Sequence, residues 1–155
     1  MSKTTTDSKS SPKISRFAKF AFALQVFFLR RGWMGQLGNI VMIITTTGRK
    51  TGRKITIPVG YKQDGDHIFS INKGNSNWFR NVQANGEAVI EIKGEVMKAH
   101  GTVVTDERER QRIFNVYRQD PASFQQLFRI PADSSEEELH KVLSEWKFMK
   151  FEKIK

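Results

Sequence analysis

Four basic side chains, Arg49, Lys50, Arg53 and Lys54, and two glycines, Gly48 and Gly52, fall within the stretch "ITTTGRKTGRKITIPVGY", residues 44–61. Like charges this close repel, so the cluster must either disperse into solvent or serve an anion. Glycine lets a ligand approach the backbone N–H groups, threonine adds hydroxyl donors, and Arg and Lys add charged donors. Together they form a composition suited to phosphate or carboxylate oxygens. Taken alone, the turn also fits a solvated hairpin. It is not a P-loop, because "GRKTGRK" lacks the spacer and the following helix of that motif.

Other chemistry is sparse. His67, His100 and His140 are scattered without ligand spacing, so no metal site is expected. The absence of cysteine removes disulfides, thiolate metal sites and cysteine nucleophiles together, and fits a reduced, cytoplasmic setting. Ser, His and Asp fall in no hydrolase motif.

The charge is unevenly spread. Residues 1–62 carry 12 Lys and Arg against the single acid Asp7, a net +11, whereas residues 63–155 carry 14 against 15, a net −1. Such a field attracts nucleic-acid backbone, acidic lipid or a phosphorylated small molecule.

The elements that must position these residues are readable in order. Residues 1–13 are polar and read as a disordered tail, and residues 14–155 as one domain. "ISRFAKFAFALQVFFLRR", residues 14–31, has helical spacing. Its apolar run is too short to span a bilayer, and Arg30-Arg31 stands where an export cleavage site would need small residues. This amphipathic helix either docks on the domain or in a dimer interface, or lies on an acidic membrane surface as a peripheral contact.

A buried strand, "IVMIITTT", precedes the basic turn, and a second strand, "ITIPVGYK", follows it, with Pro58 marking an edge or bulge. "QDGD" turns the chain into "HIFSIN", giving a three-strand meander. Asn75, Ser76 or Asn77 caps a short helix that ends at Asn85-Gly86. "EAVIEIKGEVMKAHGTVVT" is two alternating strands about Lys93-Gly94, with Ala88, Ile90 and Ile92 on one face. Thr105, Asp106 and Glu107 open a helix with Ile113, Val116 and Tyr117 on its apolar face. A short aromatic helix, a capped helix from "SSEEELHKVLSEW" and a closing strand, "WKFMKFEKI", complete the chain. Six or so mostly antiparallel strands with short helices predict a mainly β, α+β fold whose sheet closes into a barrel.

The order "TTTGRKTG…IPVGY…DGD…NKG…NWFRNVQAN…VTDERER" resembles the deazaflavin-dependent nitroreductase and quinone reductase family over roughly residues 33 to 130. That resemblance implies a split β-barrel related to the flavin-reductase and pyridoxamine-phosphate-oxidase-like proteins. It implies coenzyme F420 as cofactor, with flavin mononucleotide (FMN) the alternative, and hydride transfer to a quinone, nitroaromatic or enone. By the same resemblance Arg49, Lys50, Thr51, Gly52 and Arg53 hold the phosphate and acidic tail, while Pro58, Asn72, Lys73 and Gly74 lie against the ring. Trp78 and Asn81 border the cofactor, although Trp78 and Phe79 could equally pin the short helix to the barrel. Tyr117, Phe124 and Phe128 match the acceptor side, where Tyr117 is a candidate proton donor; the alternative is that these helical aromatics are core.

Three departures stand out. Ile55 occupies a position where the family often has Arg, with Arg53 and Lys54 as neighbouring substitutes of which only one can face the ligand. The loop before Trp78 is shorter than in the best-known nitroreductases, and it lacks their proline. These point to a side branch with its own pocket, as monomer or homodimer. A non-enzymatic nucleic-acid binder is the competing reading of the basic first half, but the aromatics are not interleaved with the main basic run, and none is expected as a partner.

Overall fold

The computed structural model describes residues 41–155; the expected tail at 1–13 and helix at 14–31 lie outside the described residues. Seven strands form one antiparallel sheet: β1 (Val41–Thr47), β2 (Lys54–Gly60), β3 (Lys62–Asp64), β4 (His67–Asn72), β5 (Glu87–Ile92), β6 (Glu95–Val103) and β7 (Lys147–Lys153). Among the described residues four helices accompany it: α1 (Asn77–Asn85), α2 (Glu107–Arg118), α3 (Pro121–Phe128) and α4 (Glu136–Glu145).

The strand order is β2-β1-β5-β6-β7-β4-β3. Its two ends, β2 and β3, are consecutive in the chain and separated only by Tyr61. The stretch read from sequence as one strand is therefore one run broken at Tyr61, its first half pairing β1 and its second half β4. Ser70 in β4 donates to the carbonyl of Gly60 at 2.7 Å, joining the halves. The sheet thus curls into a split barrel, which leaves few open edges. The expected meander holds only in this divided sense. Pro58, lacking an N–H, sits on β2 opposite Ile43, where β2 has β1 as its one neighbour in the sheet.

Side-chain alternation supplies two cores. Met42 and Ile44 of β1, Ala88, Ile90 and Ile92 of β5, and Met149 and Phe151 of β7 fill the barrel together with Trp78, Phe79 and Val82 of α1. The opposite faces of β4 and β7, through Phe69 and Phe148, pack against α2, α3 and α4 via Ile113, Phe114, Tyr117, Phe124 and Leu143. On α2 the buried face is Ile113, Phe114 and Tyr117, and Val116 is only partly covered. Phe114 takes the expected place of Val116 because its ring reaches both Phe124 and Phe128 at 5.2 Å between centroids.

Local signals explain the joints. Lys93 and Gly94 both have positive φ, as the tight turn between β5 and β6 requires. Asp106 caps α2 by accepting from the Glu109 N–H at 3.2 Å. Arg110 closes α4 from the side, donating to the carbonyls of Leu143 at 2.7 Å and Trp146 at 3.0 Å. Among the described residues no helix is long and apolar enough to cross a membrane.

Helix α1 lies so close to β6 that a Cβ on Gly101 would overlap the Val82 side chain and come within 3.1 Å of the Phe151 ring. Gly101→Ala should therefore lower stability by about 1–3 kcal/mol, the usual cost of overpacking. Chemical denaturation measures it, and the loss attributable to Gly101→Ala should shrink in a Val82→Ala background.

Candidate functional site

The basic turn is closed by two backbone bonds, Gly48 N–H to the Arg53 carbonyl and Gly52 N–H to the Gly48 carbonyl, both 2.8 Å. Gly52 has φ +71°, a conformation that favours glycine. The side chain of Asn81, 2% exposed, reaches the turn from α1. Its Oδ1 accepts from the Arg49 backbone N–H at 3.2 Å and from the Arg49 guanidinium at 2.9 Å, while its Nδ2 donates to Thr46 Oγ1 at 3.2 Å. Arg49 is thereby fixed. Lys50, Thr51 and Arg53 are exposed, and the N–H groups of Lys50 and Thr51 donate to no described residue. Among the described residues, the donors at the tip of the turn therefore meet no acceptor.

The register sorts the flanking side chains. Thr47 pairs with Lys54 and Thr46 with Ile55, so Ile55 shares the face on which Thr46 meets Asn81. Lys54 lies on the other face, donates to Thr47 Oγ1 at 2.8 Å and lines a cavity of about 350 Å³ with Asn85, Glu87 and Lys98. Thr56, Pro58 and Gly60 follow Lys54 on that face by alternation. The structure therefore brings Arg49 and Asn81 together but sets Pro58 on the opposite side of the hairpin.

Asn72 organises the next segment. Its Oδ1 accepts from the N–H groups of Gly74 at 2.7 Å, Asn75 at 3.1 Å and Ser76 at 3.3 Å. Gly74 has φ +85°, and the Lys147 side chain packs where its Cβ would be. Lys73 directs its ammonium over the Trp146 ring, 5.4 Å from the centroid. Trp78 is buried in the barrel core and meets Phe79 edge-on at 5.4 Å.

A second cavity of about 350 Å³ lies where the barrel meets the helices, walled by Gly60, Tyr61, Lys62, Ile71, Tyr117 and Phe124 and completed by Ser123, Gln126 and Leu127. Two of the three expected acceptor-side residues, Tyr117 and Phe124, line it. Phe128 instead packs in the aromatic cluster against Phe114, Tyr117, Phe124 and Trp146. Burial pushes the Tyr117 phenol well above its usual range and raises that of Tyr61. Gly60, Lys62 and Ile71 were not singled out by the sequence, because the break at Tyr61 that gathers them is invisible to strand alternation. Among the described residues no cluster of His, Asp or Glu could hold a metal ion.

A family model described as F420H(2)-dependent quinone reductase matches residues 29–129. Among solved structures, an F420-H2 dependent reductase aligns at TM-score 0.52 and 16% identity, covering 72% of this chain and 93% of that one. An FMN binding protein related to pyridoxamine 5'-phosphate oxidase, from Nostoc punctiforme, aligns at TM-score 0.54 and 10% identity, covering 85% and 79%. A domain-swapped dimer aligns at 0.53 and 13%, covering 89% and 100%. At these identities the structural matches establish the split-barrel fold.

Asn81→Ala would leave the Arg49 N–H and Thr46 without their partner, and should cost about 1–3 kcal/mol of stability in chemical denaturation. Alkaline titration gives a second check. Both tyrosines of the chain, Tyr61 and Tyr117, have phenols raised above the ordinary 10.0, so the unfolded state ionises first. Stability from this source is complete below pH 10.0 and declines as pH rises above it. Phenolate absorbance from Tyr117 should appear together with loss of structure, not before it.

Proposed function

The chain belongs to the F420H(2)-dependent quinone reductase family, and from that premise we propose that it is a deazaflavin-dependent oxidoreductase reducing a flat, electron-poor acceptor such as a quinone, nitroaromatic or enone. One observation carries the reading beyond the family: a single run of chain, residues 48–62, has at one end a cationic turn whose tip donors meet no acceptor among the described residues, and at the other a mostly apolar cavity. This is the layout wanted by a ligand with an anionic tail and a planar ring.

The residues present fit such a group. Lys50, Thr51, Gly52 and Arg53 would hold its acidic end, with Arg49 held in place by Asn81. Pro58 and the Asn72–Gly74 turn would border the ring, and Trp78 would support that turn by anchoring α1. When bound, the reduced deazaflavin supplies hydride. The chain's own part is to orient and to exclude water, which are the usual contributions of a protein to cofactor chemistry. Phe124 and Ile71 provide apolar walls on the acceptor side. Tyr117 keeps its proton because burial disfavours the phenolate, so it is suited to donating a hydrogen bond to an acceptor oxygen, and solvent supplies the proton. No nucleophile is required.

Titration with reduced and oxidised coenzyme F420 and with FMN tests the proposal. Saturable binding of the deazaflavin at unit stoichiometry is expected, and Lys50→Ala should weaken it about tenfold, the scale of one charge-assisted hydrogen bond. A loss on Lys54→Ala instead of Lys50→Ala would move the acidic end to the other face of the hairpin. Preference for FMN would replace the cofactor, whose phosphate suits the same turn. Binding of neither, with no reduction of quinones, would overturn the enzymatic reading.

A further inference from the structure

The cavity between barrel and helices has one charged lining residue, Lys62. Its other walls are aromatic, aliphatic or neutral polar, and no acid lines it. The Lys62 ammonium stands 6.0 Å from the centroid of the Tyr117 ring, a cation–π placement that keeps it over the cavity wall. Among the described residues Lys62 makes no salt bridge. Asp120 feels its charge, and the oxygens of that carboxylate are held by Ser123. Its Oδ1 accepts from the Ser123 N–H at 3.3 Å and its Oδ2 from the Ser123 hydroxyl at 2.5 Å, capping α3. Those two bonds are the main reason the Asp120 carboxyl is held below its usual range, Lys62 adding less.

Asp120 keeps its charge but turns its oxygens to Ser123 and makes no salt bridge with Lys62, so the ammonium beside this apolar wall is only partly compensated, and an anionic oxygen brought in by a ligand would compensate it further. We propose that Lys62 is a specificity residue that makes this cavity prefer planar aromatic acceptors bearing one carboxylate over uncharged ones of the same shape. The inference rests on the cavity being the acceptor site, as read above. Lys62 would grip the carboxylate at the mouth, while Tyr117, Phe124 and Ile71 cover the ring. Gln126, whose side-chain amide can donate, is placed to share the carboxylate oxygens. The ordinary alternative is that Lys62 is a rim lysine whose charge is spent on water.

Two measurements separate these. Calorimetric titration of the full chain with naphthoate and with naphthol, neither of which can be reduced by hydride transfer under these conditions, reads the preference without turnover. Naphthoate should bind about tenfold more tightly, and Lys62→Ala should erase the difference by weakening naphthoate alone. Lys62→Arg should retain most of it, and Lys62→Glu should invert it. In turnover, the preference for a naphthoquinone carboxylate over naphthoquinone should fall in Lys62→Ala through KM, with kcat little changed. Phe124→Trp, which fills the cavity, should weaken both aromatics.

Equal binding of the two aromatics to the natural protein, or a preference that Lys62 variants leave unmoved, overturns the proposal while the acceptor cavity stands. Binding that Phe124→Trp does not affect, or no binding of either aromatic, removes the cavity as acceptor site and the proposal with it. Cofactor binding is read separately through Lys50→Ala, at a turn that none of these variants touches, so failure of the cofactor reading is distinguished from failure of this one.

Discussion

The backbone of residues 54–64 has to satisfy two neighbours. Up to Gly60 it spends its hydrogen bonds on β1; from Lys62 it spends them on β4. Between them Tyr61 turns into the barrel core while the Gly60 carbonyl is taken up by Ser70. Unpaired backbone groups at this bend would be costly, which is why the closing contact is a side-chain hydroxyl aimed at a carbonyl. The break both closes the sheet and opens a cavity, since two strand segments diverging at a point cannot pack as densely against α2 and α3 as a straight strand would. The basic turn lies at the start of the same run. Fold closure and candidate chemistry are therefore consequences of one constraint on one piece of chain.

The repulsion within the basic turn is handled by separation. Arg49 is drawn to Asn81, Lys54 to Thr47 on the reverse face, and Lys50 and Arg53 are left toward water. Each of the two held cations has a neutral oxygen as its described partner. An acidic partner at position 81 would neutralise Arg49 and diminish the field at the turn; an amide fixes the guanidinium while leaving its charge available. Lys73, next to the organised Asn72 turn, rests its ammonium on an indole face in the same way, keeping its charge.

Much of this was legible in the sequence. Strict alternation in "EAVIEI", two positive-φ candidates at Lys93-Gly94, the Asp106 cap and the Asn85-Gly86 stop each encode local geometry within a few residues, and local geometry is what periodicity reports. The long-range facts were not. Asn81 and Arg49 are 32 positions apart, and nothing in either neighbourhood announces the bond. Phe69 and Phe148 could be assigned to the second core only once β4 and β7 were known to pair and to carry helices on their outer face. Phe128 was ambiguous between pocket and core because helical spacing puts it on the same stripe as Phe124; the difference is one turn of α3, which carries Phe128 beneath Trp146. Lys62 gives no such signal, because a lysine ending a strand reads as a solvent residue.

The position where the family often has arginine shows how register changes the meaning of a substitution. Ile55 faces the same side as Thr46, the side braced by Asn81, and is 38% exposed. An arginine there would have added a second guanidinium beside Arg49. Lys54 cannot supply that charge, because it projects from the reverse face and is bonded to Thr47. It does something else. Followed from the cavity along β2, the side chains on the face of Gly60 are Pro58, Thr56 and then Lys54, with Thr56 held by Thr45 at 2.9 Å. A ligand whose ring rests at Gly60 and whose tail runs along the strand on this face would meet Lys54 and miss Ile55. With the arginine gone from one side and a lysine present on the other, the hairpin offers its cations on two faces, and the choice between them depends on where the ring lies.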